Sequence, residues 1–258
     1  MEFTELVLLE LESQRRSVTS VTKRDRVMEL LQPAPGERIL DIGCGGGAFC
    51  RQIAPLVGPG GSVFGIDNAL AAIDVALRLS ALEDRSLMSF TQADGHDLPF
   101  PDASFDAAVC ISVLGFCQNP GQVLAEARRV LRPGGRFLAV NSDEDTRVYN
   151  GHDQELGRRI ARAIADRSLD PWLGRRLAPM LTAAGFQLEQ EMALADLERE
   201  YAAGTSGYSL AHIVRDYLLL TACIPAEDYE RWLDDLTACA LDGSYCYSVV
   251  TYACLTTR

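Results

Sequence analysis

Arg38-Ile-Leu-Asp-Ile-Gly-Cys-Gly-Gly-Gly47 sets an apolar run against glycines at 43, 45, 46 and 47. Ile39 to Ile42 has the makings of a short buried strand, and Ala48-Phe-Cys-Arg-Gln-Ile53 can wind as a helix. Between the two, glycines allow a tight turn whose backbone a ligand can approach closely. Val63-Phe-Gly-Ile-Asp67 reads as a second buried strand with a carboxylate at its tip, twenty positions after Gly47. A carboxylate so placed can accept both hydroxyls of a ribose. The stretch therefore predicts an α/β chain that binds a nucleoside-containing cofactor.

The same alternation continues along the chain. Helices are expected at 4–11 and 24–31, the second broken by Pro33-Ala-Pro-Gly36. Further helices are expected at 69–82, 122–131, 153–167, 173–184, 210–220 and 226–240, and strands at 87–93, 105–112, 136–141, 187–195 and 244–255. Strand–helix alternation predicts a parallel, doubly wound sheet with its ligand at the carboxyl ends of the strands.

Two cofactors compete for the glycine turn. Gly43-x-Gly45-x-x-Ala48 satisfies the dinucleotide fingerprint and so admits NAD. Three features favour S-adenosylmethionine. Asp41 stands before the glycines, where it would repel a pyrophosphate but welcome an ammonium group. Asp94, in Thr91-Gln-Ala-Asp94-Gly-His-Asp97, follows a further apolar run and can accept a hydrogen bond from the adenine amino group. About thirty residues also precede the first strand, whereas dinucleotide folds often begin near it.

Asp41-x-Gly43-x-Gly45-x-Gly47, Asp67, Ala93-Asp94, Leu98-Pro-Phe-Pro-Asp-Ala-Ser-Phe-Asp106 and Arg128-Arg-Val-Leu-Arg-Pro-Gly-Gly135 follow one another in an order and spacing that resemble a class I S-adenosylmethionine-dependent methyltransferase. The resemblance runs from about Arg24 to Val140, and is nearest to the small-molecule group similar to quinone-biosynthesis C-methyltransferases. It implies a mostly parallel seven-stranded sheet with an antiparallel last strand beside strand five and a helical substrate cover. The whole of 1–258 is then a single domain. It divides into an N-terminal cover (1–32), a cofactor-binding core (33–196), a cover insertion (197–243) and a final strand (244–258). It also implies that Gly43, Cys44, Gly45 and Gly47, following Asp41, wrap the methionine half of the cofactor, that Asp67 holds the ribose and Asp94 contacts the adenine, and that Asn68 and Gly95 pack along the adenosine. Ile111 and Ser112, at the tip of strand four, are expected beside the cofactor on topology. Where the family often carries a histidine after this strand, the chain reads Val113-Leu-Gly-Phe-Cys-Gln-Asn-Pro120.

Composition narrows the partners. A net charge of −12, with Lys23 the sole lysine, argues against a general nucleic-acid binder, which needs clustered basic residues. No run reaches the roughly twenty apolar residues of a membrane span, and acidic residues near the start are the wrong chemistry for a secretory signal. None of the eight cysteines forms a C-x-x-C pair, so no metal is expected, and the cysteines read as small buried groups in a reducing cytoplasm.

Methyl transfer from a sulfonium is an in-line displacement that depends mainly on positioning. A base is needed only for an acceptor that loses a proton. His152 is the candidate base. Asp143, Asp145, Tyr149 and His152, emerging from strand five, join Tyr208 and His212 of the cover as candidate acceptor contacts. The expected activity is methyl transfer to a small, partly apolar metabolite. A cyclase that holds the cofactor without transferring methyl, and a non-catalytic binding partner, are the alternatives.

Overall fold

The computed structural model describes residues 18–81, 85–221 and 223–258. The expected helix at 4–11 lies outside them. Helix α1 (Val18–Leu31) leads into β1 (Arg38–Ile42), α2 (Ala48–Val57), β2 (Ser62–Asp67), α3 (Leu70–Ser80), β3 (Met88–Gln92) and β4 (Phe105–Ile111). After α4 (Pro120–Val130) come β5 (Leu131–Asn150), α5 (Gln154–Ala165), α6 (Leu173–Ala183) and β6 (Gln187–Glu198). Helices α7 (Ser206–Ile213), α8 (Arg215–Leu220) and α9 (Ala226–Asp242) precede β7 (Cys246–Thr257).

Seven strands form one sheet in the order β3-β2-β1-β4-β5-β7-β6. The first five are mutually parallel, while β7 runs antiparallel to both β5 and β6. The expected doubly wound sheet, with its antiparallel final strand against strand five, is what the chain forms. Successive strand residues point to opposite faces, and both faces here are covered, so the central strands are mostly apolar. Leu40, Phe137 and Ala139 face a core built with α4 and α6, including Leu124, Leu177 and Phe186. Ile39, Leu138 and Val140 face the other side, against Val27, Leu31, Phe49 and Ile53 of α1 and α2.

Local chemistry accounts for the helix ends. Asn119 caps α4 by accepting the Gln122 N–H at 3.2 Å, and Pro120 occupies the first turn, where its missing N–H costs nothing. Helix α9 carries Glu227 and Asp228 in its first turn, favourable to its dipole, and ends at left-handed Gly243.

Two departures from the sequence expectation bear on the site. Strand β5 does not stop near Asn141 but continues to Asn150. Its charged stretch bulges between the Asp143↔Val250 and Val148↔Ser248 pairs, and pairing then resumes with Tyr149 opposite Tyr247. The alternation of a strand is lost over Asp143 to Arg147, which is why it reads as a loop, yet the aromatic pair beyond restores the ladder, with ring centroids 4.9 Å apart. The expected helix at 210–220 is two helices joined at Val214. Past the bulge, Tyr149, Tyr229, Trp232, Tyr245 and Tyr247 build a third core with Leu156 and Ile160 of α5.

Arg136 ties α1 to the sheet. Its guanidinium donates to both Glu37 carboxylate oxygens, at 2.9 and 2.8 Å, and to the Leu31 carbonyl at 3.1 Å. Burial alone would raise the Glu37 pKa, but the Arg136 hydrogen bonds, the Ala34 N–H and nearby arginine charge outweigh it and hold the group below its ordinary 4.5. A folded pKa below the unfolded one means stability that is present above the unfolded value and lost as pH falls through the folded one. Glu37→Gln should therefore cost about 1–2 kcal/mol at neutral pH. Denaturant melts at stepped pH should show the difference from wild type closing below pH 4.5.

Candidate functional site

The carboxyl ends of β1, β2 and β4 open onto a cavity of about 410 Å³. That is within the range of cofactor and small-ligand pockets. The turn after β1 forms its floor. Gly43 has φ +76°, a left-handed conformation that side chains disfavour. A β-carbon at Gly43 would also overlap Val113 Cγ2, so the turn and the loop after β4 meet only because that atom is missing. The Gly43 and Cys44 N–H groups both donate to the Ile66 carbonyl at 2.8 Å, which clips the turn to the end of β2.

Asp67 stands at that strand end with both oxygens engaged. Oδ2 accepts the Gly45 N–H and Oδ1 the Ala69 N–H, each at 2.9 Å. A carboxylate has about four acceptor positions, so one remains on each oxygen, enough for a vicinal diol. Asp41 is almost fully buried at the end of β1, where Cys50 Sγ donates to it at 3.3 Å. Asp94 accepts the His96 N–H at 2.9 Å and sits 2.6 Å from His96 Nδ1; those two bonds hold its carboxyl below the ordinary range, so it is ionised at neutral pH. Three carboxylates in one cavity favour a cationic ligand.

The structure brings together Asp41, Gly43, Cys44, Gly45, Asp67, Asn68, Asp94, Gly95, Ile111 and Ser112 on the cavity wall. Gly47 lies just behind them as the left-handed cap of α2, against Phe90. Ser112 has φ +59°, a strained conformation for a serine at the tip of a strand. The remaining wall includes residues that the sequence reading did not place at a site: Lys23, Arg24 and Val27 of α1, Phe49, Val113, Phe116, Cys117, Val140, Ser206 and Thr251. Lys23 reaches across to Asp196 of β6 at 2.7 Å and pins α1 over the opening. Only the spacing of α1 before the glycine turn could have hinted at this roof.

The expected acceptor contacts are not on this wall. Asp143 is fully buried and paired with Arg175 of α6, whose Nη2 lies 2.8 Å from Oδ1. Asp145 and Tyr149 line a different cavity of about 430 Å³ with Gly157, Arg158 and Ala161 of α5. Tyr149 itself donates to the Gly207 carbonyl at 3.1 Å. His152 lies between Asp242 and Asp235, at 2.9 Å from each, and these carboxylates raise its pKa. Tyr208 and His212 stack on one another with centroids 4.1 Å apart. For Asp143 to His152 the cause is the longer β5, which carries them past the strand tips, away from the cavity; Tyr208 and His212 lie on α7.

A 2-phytyl-1,4-naphtoquinone methyltransferase of Synechococcus elongatus is 32% identical over 62% of this chain and 76% of its own length. Residues 40–139 also match the model of the methyltransferase domain family. The chain belongs to the methyltransferase domain family. An uncharacterized 37.1 kDa protein in transposon TN4556 of Streptomyces fradiae is 33% identical over 82% of this chain, which spans 61% of that relative's length. A putative methyltransferase from Bacillus halodurans shares the fold, with a TM-score of 0.63 over 92% of this chain and 98% of its own at 19% identity. The cofactor of this family member is S-adenosylmethionine, and the left-handed glycine turn with three facing carboxylates fits a cationic nucleoside of that kind. Among the described residues no helix is long and apolar enough to cross a membrane.

Gly43→Ala should abolish measurable S-adenosylmethionine binding by calorimetry, because the new methyl overlaps Val113 and the backbone is strained besides. Adding Val113→Ala should restore binding in part, removing the overlap but leaving the strain. Full affinity in the single variant would show that the turn does not need this approach.

Proposed function

We propose that the chain transfers methyl from S-adenosylmethionine to a small, partly apolar acceptor that enters beneath α1. The observation that carries this reading is the mixed lining of one cavity: it combines Asp41, Asp67 and Asp94 with the apolar Val27, Phe116 and Val140 and the Ser206 and Thr251 hydroxyls.

Each residue then has a role. Asp67 accepts the ribose hydroxyls, Asp94 accepts from the adenine amino group, and Asp41 faces the ammonium of the methionine half. Gly43, Cys44 and Gly45 present bare backbone to that half, while Asn68 and Gly95 pack along the adenosine. Ile111 and Ser112 border the reacting end. A bound S-adenosylmethionine supplies an electrophilic methyl on a sulfonium. The protein's share is to hold the acceptor atom in line with it and keep water out. Of the histidines, only His96 lines the cavity; its Nδ1 is engaged by Asp94, while its buried Nε2 has no hydrogen-bond partner. The reading therefore admits an acceptor that is already nucleophilic, or one that loses its proton to that nitrogen or to solvent.

The test is turnover of the purified chain with S-adenosylmethionine against phenolic, quinol and amine metabolites, read by S-adenosylhomocysteine release and acceptor mass. Gain of one methyl per S-adenosylhomocysteine released is expected. Conversion of an acceptor at unchanged mass, with cofactor intact, would mean that the cofactor serves another chemistry such as cyclisation. Asp67→Asn should weaken cofactor binding by roughly 1–3 kcal/mol, the cost of losing hydrogen bonds to a charged acceptor. That is about one to two orders of magnitude in dissociation constant, and unchanged affinity would remove Asp67 from the ribose site.

A further inference from the structure

Far from the cofactor cavity, the turn between β5 and α5 meets one face of α9. Asp235 and Cys239 are four residues apart on α9 and project side by side. His152 reaches them from the turn, with Nδ1 2.9 Å from Asp235 Oδ1 and 3.4 Å from Cys239 Sγ. The three donor atoms all lie within 4.8 Å of one another. We propose that His152, Asp235 and Cys239 bind a divalent cation of the zinc class, which fastens α9 to the β5–α5 turn.

The donor set selects the metal. An imidazole, a thiolate and a carboxylate suit a borderline cation such as Zn²⁺, and are wrong for Mg²⁺ or Ca²⁺, which want oxygen alone. Asp and Cys supply two negative charges, which balance the ion. With bonds of about 2.0–2.3 Å, tetrahedral coordination places the nitrogen about 3.3 Å from the oxygen and about 3.6 Å from the sulfur. The two separations from nitrogen need to open by only a few tenths of an ångström, and the oxygen and sulfur, within 4.8 Å of each other, settle at about 3.5 Å around the ion. The fourth position falls to water, which the exposed side of His152 admits.

Each donor is also aimed. Asp242 lies 2.9 Å from Nε2 on the far edge of the His152 ring. When a cation takes the place of the Nδ1 proton, a carboxylate there keeps the other proton on Nε2, the arrangement that orients metal-binding histidines. The second oxygen of Asp235 accepts the Asp153 N–H at 3.0 Å, leaving Oδ1 directed at the cluster. A β-carbon on Gly151 would overlap Asp235 Oδ2, so glycine at 151 is what lets the helix carboxylate come this close to the turn. Cys239 is fully buried beside Trp232 and Leu236 in the third core and cannot swing away.

The test is titration of the metal-stripped full chain with Co²⁺, then displacement by Zn²⁺. One equivalent should bring up visible bands of four-coordinate intensity and a near-ultraviolet thiolate-to-cobalt band, both bleached by zinc. Cys239→Ala should abolish the thiolate band, and Asp242→Asn should weaken binding about 10–100-fold. Removing a buried side chain can loosen α9 by itself, so the deciding variant is His152→Ala, whose side chain is 55% exposed. With unchanged circular dichroism it should bind at least tenfold more weakly. Its unfolding midpoint should also lose the rise with zinc concentration that a ligand of the folded state produces in wild type. Absence of a thiolate band in wild type, or the same band at the same affinity in Cys239→Ala or His152→Ala, would overturn the proposal.

Discussion

The Asp67 carboxylate, held by the Gly45 and Ala69 amides, is the joint on which the cavity depends. One side chain thereby sets the distance between the turn after β1 and the tip of β2. Its own carbonyl accepts the Ala93 N–H at 3.0 Å, which brings the loop carrying Asp94 into the same register. Three strand ends are thus positioned from one residue, and the carboxylates they carry converge. Convergence of like charges disfavours the cavity without a ligand and favours it with a cationic one, so the feature that makes the pocket selective also makes it responsive to what fills it.

The third core serves a different purpose from the two that sandwich the sheet. It has no sheet face of its own beyond the extension of β5 and β7. Its mass comes instead from tyrosines and a tryptophan, large side chains that can close a core between short helices. Arg147 is buried there against Tyr247 and Glu144, a charge retained because it is paired on both sides. Helix α9 is the principal wall of this unit, so whatever holds α9 in place governs how firmly the segments around it are held.

Much of this was legible in the residues. The strand–glycine–helix run and the carboxylate tips of β2 and the loop after β3 obey short-range rules, and those positions do line one cavity. What failed to read was the long-range part. Asp143 to Arg147 carries no alternation, and only the pairing of Tyr149 with Tyr247, almost a hundred positions later, shows that a strand continues through it. Every expected acceptor contact in that stretch moved with it. Part of the cavity wall was illegible for a related reason: Thr251 is an ordinary residue placed by how β7 enters the sheet, and Ser206 is placed by Glu198 of β6, whose carboxylate accepts its N–H at 2.9 Å. Likewise His152, Asp235 and Cys239 share no motif, since a spacing rule for cysteines looks along the chain and this cluster forms across it.

The sheet order has a consequence for synthesis. Strand β6 touches the sheet only through β7, which lies between it and β5. Yet β6 is made first, and α7, α8 and α9 must all emerge before its partner does. At ~5–20 residues per second the nascent chain spends several seconds in that condition. During this time the open edge of β5 and the whole of β6 offer unpaired backbone to any passing strand. The charges of Glu189, Glu191, Asp196 and Glu198 along β6 then act as guards: they make the waiting strand a poor partner for others until its own arrives.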